Sequence, residues 1–489
     1  MKRNFLKLAI IVLIAATGCQ KNLTDNQLNH DQLGENAGLR NVVVDCTPIS
    51  LSGTINTNTT LLSGKRYILD GIVDVKNATL TIQPGTLIEA KTSVASGLVI
   101  DKTAQINAVG TSTNPIVFTS DKAPGARAPG DWIGLAIMGN APNNQSNALG
   151  FSFASNSYTA GGTSVSSSAG TLEYVQINFA GKGSATGDRL TQSALILGSV
   201  GNGMTIKDVQ ISESKFDGLG VWGGQVGIKE VFSYKSGRTD LAISQGYRGN
   251  IQNILGFKDN AIFHIVESYG IDITNNLVGA DNAPYTYPVI SNVSLMGGTF
   301  CENSDIGYED AIAIRKNGSA QIYNTVVEGF NRYGLFLEGS NIIAKTKSGT
   351  DQLIFSNNSL HDLGSPEYSQ QFTSPHASWA AADGCRLNPS GTMQNWIEGT
   401  ALSSCNQTGN QFSLLATGYY KNSLCGDKCS TFPNLFINES TTDLEAPDYG
   451  MLSGFFDQPA FRGALQTSAN TWLKSTWVDF CMLTRNYCE

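Results

Sequence analysis

Apolar residues in this chain fall in short runs that alternate with polar ones, as in Met204-Thr-Ile-Lys-Asp-Val-Gln-Ile211 and Asp310-Ala-Ile-Ala-Ile-Arg315. Period-two alternation over four to eight residues, bounded by Gly, Asn or Asp, predicts strands. No window holds a 3.6-residue period between caps, so few helices are expected. The apolar clusters recur at a nearly fixed interval. One series runs Ile206, Ile228, Ile251, Ile271 and a second Leu195, Leu219, Leu241, Ile262, each spaced by about 22 residues. Short strands on that repeat predict an all-β chain wound as a right-handed parallel β-helix, each turn stacked on the one before and lined inside by Ile, Val and Leu. With rungs about 4.8 Å apart, roughly ten to twelve turns give a rod on the order of 50 Å long.

The rod is assigned to residues 46–360. Its opening turns read Thr79-Leu-Thr-Ile-Gln-Pro-Gly-Thr-Leu-Ile-Glu89, Leu98-Val-Ile100, Ala104–Gly110 and Pro115–Ser120, with Pro-Gly and Gly at the corners. Segments 140–170 and 280–289 break the period and are expected to leave the rod as loops. Beyond residue 360 the period fails while Cys, Trp and Pro grow denser. Residues 361–489 are therefore expected to form an irregular, Cys-rich, disulfide-braced cap, since an open solenoid end exposes unpaired edge groups.

Composition supports many corners. The 489 residues include 52 Gly and 41 Asn against 15% charged residues, and Asn and Gly tolerate tight or left-handed backbone. The formal net charge is −8, and −11 once residues 1–18 are removed, with no Lys/Arg cluster to offset it. Phosphate backbones repel such a chain, so nucleic acid is excluded as a partner. Polyanionic glycans are disfavoured except at a local basic groove.

The N-terminus carries export chemistry. Lys2, Arg3 and Lys7 precede the apolar run Leu8–Ala16, too short to span a bilayer, and Ala15-Ala16-Thr17-Gly18-Cys19 follows. Small residues before a Cys resemble a bacterial lipobox, implying a signal peptide over 1–18 and a lipidated Cys19. Gln20-Lys21 resembles the start of the surface-export tag of Bacteroidetes lipoproteins, although acids are delayed to Asp25. The expected location is the outer membrane, lipid-anchored, on the cell surface rather than the periplasmic face, with 19–45 as a flexible tether. The other eight Cys are disulfide candidates: Cys46, Cys301, Cys385, Cys405, Cys425, Cys429, Cys481 and Cys488. For Cys425-Gly-Asp-Lys-Cys429 a local bridge is preferred over zinc, because no His or second close Cys pair accompanies it.

Candidate chemistry is thin. Asp217, Asp240, Asn260 and Asp310 each open or enter a strand on different turns. They read either as a carboxylate row, as paired-acid glycosidases require, or as corner residues capping backbone N–H groups, and the second is preferred. Arg238 and Arg315, close to Asp240 and Asp310, are the candidates for gripping a substrate carboxylate in a lyase. His30 lies in the tether, His361 and His376 in the irregular end, and His264 on a strand. Trp132, Trp222, Tyr234, Tyr247 and Tyr269 stack on sugar rings if they face outward, with burial the equal or better reading. Nucleophile-elbow, zincin, P-loop and dinucleotide phrases are missing.

Several phrases together resemble one family. Leu80-Thr-Ile-Gln-Pro-Gly-Thr, Gly130-Asp-Trp-Ile-Gly-Leu-Ala-Ile-Met-Gly-Asn-Ala-Pro142, Gly170-Thr-Leu-Glu-Tyr-Val-Gln-Ile177, Ile322-Tyr-Asn-Thr-Val-Val-Glu-Gly-Phe330 and Phe461-Arg-Gly-Ala-Leu465 are similar to exported bacterial β-helix proteins common among Bacteroidetes lipoproteins. The resemblance implies the fold and carries no established activity. Relatives place acidic runs beside a Phe-Gly-Gly strand; here only Asp217 and Asp240 remain there, fewer oxygens than Ca²⁺ wants. The expected function is non-catalytic binding of a glycan or an envelope protein, with no cofactor or metal. The alternative is a glycan-active lyase or hydrolase, and Ca²⁺ enters only under the lyase version.

Overall fold

The computed structural model describes residues 44–183, 188–259, 267–297, 310–346, 349–361, 363, 396–397, 407–413, 429, 446–452, 454–465, 472–474 and 476–488. Cys19, Cys301, Cys385, Cys405, Cys425, His30, Asn260, Ile262, His264 and His376 lie outside the described residues. The chain winds as a right-handed parallel β-helix in which 25 strands of the described residues join one continuous ladder system. Each turn contributes to three faces. Gly170–Asn178, Thr205–Ser212, Gly227–Tyr234, Asn250–Phe257 and Val289–Met296 each supply the first and second face, and Ser193–Val200, Asp217–Gly224, Leu241–Ser244, Tyr269–Thr274 and Asp310–Arg315 the third.

Alternation decides which side chains enter the core. On the first face Leu172, Ile206, Ile228, Ile251, Ile290 and Ile322 stack rung on rung, all 2% exposed or less. On the third face Leu135, Leu195, Leu219, Leu241, Ile271 and Ile312 do the same. Ile271 thus belongs to the Leu241 ladder, and Ile290 continues Ile251, which corrects the series read from spacing. The chain between Phe257 and Tyr269, and again between Thr274 and Val289, inserts extra residues that shift the phase of the repeat.

The bend between the first and second faces is left-handed on successive turns. Tyr174, Asp208, Glu230, Asn253, Asn292, Asn324 and Asn357 occupy that corner with φ between 51° and 59°, where only Gly, Asn and Asp sit cheaply. The flanking registers place them in one row along the rod.

Segment 140–170 is more than a loop. It folds an antiparallel hairpin, Leu149–Phe153 with Asn156–Ala160, whose Phe151, Phe153 and Tyr158 pack on Met138, Ile196 and Trp222 outside the third face. The rod also continues past residue 360. Gln411–Ser413 adds a parallel rung to Ser359–His361, and Trp396 and Ile397 join the core.

The described part of the tail, 446–488, runs along the flank as a strap. Its backbone is gripped by side-chain amides in reciprocal pairs, each amide both donating to and accepting from one strap residue. Asn324 holds Asp448 (2.9 and 2.8 Å), Gln252 holds Asp457 (2.7 and 2.9 Å), and Gln210 holds Asp479 (2.6 and 2.8 Å). Buried Arg462 donates to Ala446 O, Asn358 O and Ser359 Oγ. Farther down, Leu465, Leu473, Trp477, Val478 and Phe480 cover Phe179, Phe232, Tyr234, Leu255, Phe257 and Met296, which point outward from the second face. This apolar face explains the strap: left in water it would forfeit roughly 1.5–3 kcal/mol for each large side chain.

The strap ends beside the first turn. Arg127 donates to Met482 O and Arg485 O, Tyr487 packs with Val44, Leu87 and Val117, and Cys488 is bonded to Cys46. Cys429 is bonded to Cys481, so the expected local bridge to Cys425 is replaced by one that fastens the strap. Trp477 is fully buried between strap and rod. Trp477→Ala is expected to cost roughly 3–5 kcal/mol, read as a lowered urea midpoint.

Candidate functional site

Three of the residues singled out by sequence, Asp217, Arg238 and Arg315, meet beside the third face, where they join Arg189, Glu267 and Asp272 in a chain of ion pairs. Asp217 accepts from both Arg238 Nε and Nη2 (2.7 and 2.8 Å), and Arg238 Nη1 also donates to Gln192. Asp272 takes Arg315 in the same two-pronged way (2.9 and 3.0 Å), and Arg315 Nη1 lies 3.0 Å from Glu267. Arg189 joins the halves, 2.7 Å from Asp272, 3.4 Å from Glu267 and 3.6 Å from Asp217. Positive and negative charges alternate along this chain.

Burial opposes the charges of Asp217, Asp272 and Glu267, yet the surrounding guanidinium groups win and hold all three below the usual carboxylate range. Acids held ionised at neutral pH have no proton to donate, and the prongs of Arg238 and Arg315 are occupied. Asp310 is likewise taken by Arg332 (2.8 and 2.6 Å) and by the Tyr333 N–H. Asp240 accepts from Ser233 Oγ (2.6 Å) and lies 3.4 Å from Lys258; burial pushes Asp240 up to about 6 and Lys258 down. The carboxylate row therefore behaves as internal scaffolding. Trp132, Trp222, Tyr234, Tyr247 and Tyr269 are buried, and Arg315 sits over the Tyr269 ring at 4.8 Å. His361 is buried as well. Among the described residues no group of three or more His, Cys, Asp or Glu is placed to hold a metal.

Open chemistry lies instead where strap and rod meet. A 620 Å³ cleft on the outer side of the first face is lined by Asn202, Thr205, Lys207, Gln225, Lys229, Arg248, Asn250 and the half-buried ring of Phe455. Gly227 makes room for that ring, since a Cβ there would stand 2.6 Å from Phe455. The cations are balanced. Lys229 lies 2.8 Å from Asp457 and 4.9 Å over the Phe455 ring, Arg248 lies 2.9 Å from Asp351, and Lys207 lies 3.2 Å from Glu230. Amides, hydroxyls and the part of the Phe455 ring that Lys229 does not cover are what remains for a ligand.

A second cleft, of 450 Å³, opens across the left-handed corner and is lined by Glu230, Asn253, Asp457, Pro459, Phe461 and Trp472, among others. Beneath it Asp208 stacks against Glu230 on the adjacent rung. Burial first, and then the Glu230 charge, push Asp208 up to about 7, against the weaker pull of Lys207. None of this set was foreseen: Asp208 and Glu230 are 22 residues apart in sequence, and only the rung register brings them together.

The native chain thus holds a proton on Asp208 that the unfolded chain, with a pKa of 3.8, has released. Between pH 4 and 7 the native state binds more protons, so this group's contribution to stability is full below pH 4 and lost as pH rises through 7. Asp208→Asn, which keeps a donor toward Glu230, is expected to flatten that part of the slope. Urea midpoints of wild type and variant at pH 5 and pH 8 measure it; parallel slopes refute the shared proton.

A family model described as a pectate-lyase-like β-helix domain matches residues 53–401. No curated protein and no solved structure matches. The match takes in the rod, its core ladders and the third-face ion-pair chain, and stops short of the strap at 446–488. With its three faces and in-register ladders, the chain belongs to the pectate-lyase-like β-helix family.

Proposed function

We propose that this protein is a lipid-anchored envelope β-helix that binds glycan in the polar cleft under Phe455 and does not transform it. The observation that carries the reading is the cleft itself: amide and hydroxyl groups of Asn202, Thr205, Gln225 and Asn250 surround the half-buried ring of Phe455, beside Lys229. Sugar hydroxyls match such donors and acceptors, and a pyranose ring gains from apolar contact with an aromatic face. Because Lys207, Lys229 and Arg248 are already paired, a neutral glycan fits better than a polyanion.

A glycan-active lyase or hydrolase is the second reading, and the near-neutral acid at Asp208 favours it. Geometry weighs against it. Asp208 is 2% exposed, out of reach of a sugar, and the third-face acids are locked to guanidinium groups. Attachment through Cys19 on the cell surface belongs to the same proposal and rests on the lipobox sequence.

Phe455→Ala is expected to weaken neutral-glycan binding about tenfold, near 1.4 kcal/mol, on a glycan array followed by titration. Release of shortened or unsaturated sugars from any polysaccharide in the same screen would replace binding by catalysis. Cys19→Ala is expected to yield a released, soluble protein in cell fractionation, and unchanged membrane retention refutes the anchor.

A further inference from the structure

The bend between the second and third faces brings a lysine and an aspartate of successive turns together inside the rod. Asp240 leads into Leu241–Ser244, and Lys258 follows Phe257, which pairs with Tyr234 on the rung before. The two side chains are 1% and 0% exposed, and their spacing is not that of an ordinary ion pair. Lys258 Nζ donates to Arg238 O (2.8 Å) and Ser236 O (3.2 Å). It stands 3.4 Å from Asp240 Oδ2, beyond the roughly 2.7–2.9 Å of a charge-assisted bond. Ser233 Oγ, hydrogen-bonded to Ser236 Oγ (2.8 Å), donates to Asp240 Oδ1 (2.6 Å). Gly256 makes room for the carboxyl, since a Cβ there would stand 2.7 Å from Oδ2.

Burial favours the uncharged form of each group, raising Asp240 and lowering Lys258. The other charges that act on the pair, Asp217 and the Arg238 guanidinium, bind each other. Moving one proton from Nζ to Oδ2 leaves a neutral amine beside a carboxylic acid, which are the reactants of amide formation. In water that condensation fails, because the amine is protonated, the acid is ionised and the two rarely meet. Here packing holds them in reach, which raises their effective concentration far above any in solution. A dry interior also gains from losing two charges.

We propose that Lys258 and Asp240 condense to an intramolecular amide bond after folding, with loss of one water. The Nζ lone pair attacks Asp240 Cγ while two N–H groups stay on the carbonyls of Arg238 and Ser236. Charge developing on Oδ1 is met by the Ser233 hydroxyl, already in place and backed by Ser236. As the C=O re-forms, the Cγ–Oδ2 bond breaks. Oδ2 leaves as water, taking the carboxyl proton and one proton from nitrogen. The remaining N–H keeps one carbonyl. The balance needs no oxidant, nucleotide or second protein. The product ties one turn of the rod covalently to the next, at a place where only the rung register brings the two groups together.

The test is the intact mass of the purified protein after reduction, with Lys258→Arg prepared alongside so that any processing of the termini is common to both. Wild type is expected to be lighter than its sequence by one water, about 18 Da, and the variant by none. A tryptic digest of wild type is expected to carry Thr239–Arg248 joined through Asp240 to the peptide that runs through Lys258, uncut at that lysine. Wild type at its full sequence mass overturns the assignment, and that reading needs no variant to fold. So does cleavage after Lys258 with Thr239–Arg248 recovered free. Loss of water confined to Thr239–Arg248, the mark of a cyclised aspartate, or an equal loss in Lys258→Arg, overturns it as well.

Discussion

A parallel solenoid has to turn its corners in register, because a rung that bends one residue early puts its apolar side chains outside. Here that constraint is met by a left-handed residue between the first and second faces, from Tyr174 to Asn357. Such backbone costs an ordinary residue about 1–2 kcal/mol, and Asn much less, because its short amide bonds locally. The abundance of Asn is in part a consequence. So is the direction of everything around it: with the corner fixed, Ile206 and Val209 point in on its two sides while Lys207 and Gln210 point out.

The outward amides of the corner and its neighbours then find a use. Gln210, Gln252 and Asn324 present paired donor and acceptor groups to a strap with no strand among its described residues, and each satisfies one strap residue from both sides. Where the row carries Asp208 and Glu230 instead of Asn, the same stacking drives two carboxyls together and raises the acid of one of them. Both clefts follow from this meeting of corner and strap: Phe455 walls one, Trp472 the other.

Much of the rod is legible in the sequence, because burial on both sides of a rung imposes period two within a strand and a near-constant length per turn. Ile206, Ile228 and Ile251 could be aligned on spacing alone. Ile271 could not, since inserted residues on two turns shift the phase, and only hydrogen-bond register separates its ladder from that of Ile290. The site is far less readable. Arg189 meets Asp272 across 83 residues from a short 3-10 turn, and no local pattern announces such a partner. Gln210 and Asp479 are 269 residues apart, and the Gln210 amide meets only backbone atoms of Asp479, which leave no mark on the residue type there. The Cys-rich tail announces disulfides; where the tail travels is decided by the apolar second face it covers.

The bond between Cys46 and Cys488 has a mechanical meaning. Cys46 lies in the first strand, just after the point where any leading segment enters the rod, and Cys488 is one residue from the end of the chain. A pull delivered through the leading segment therefore does not load the outermost rung alone, which would unzip one hydrogen bond at a time. It divides between that rung and the strap, whose grips on Gln210, Gln252 and Asn324 lie side by side along the flank and resist in shear. The molecule is built as a rod with a backstay.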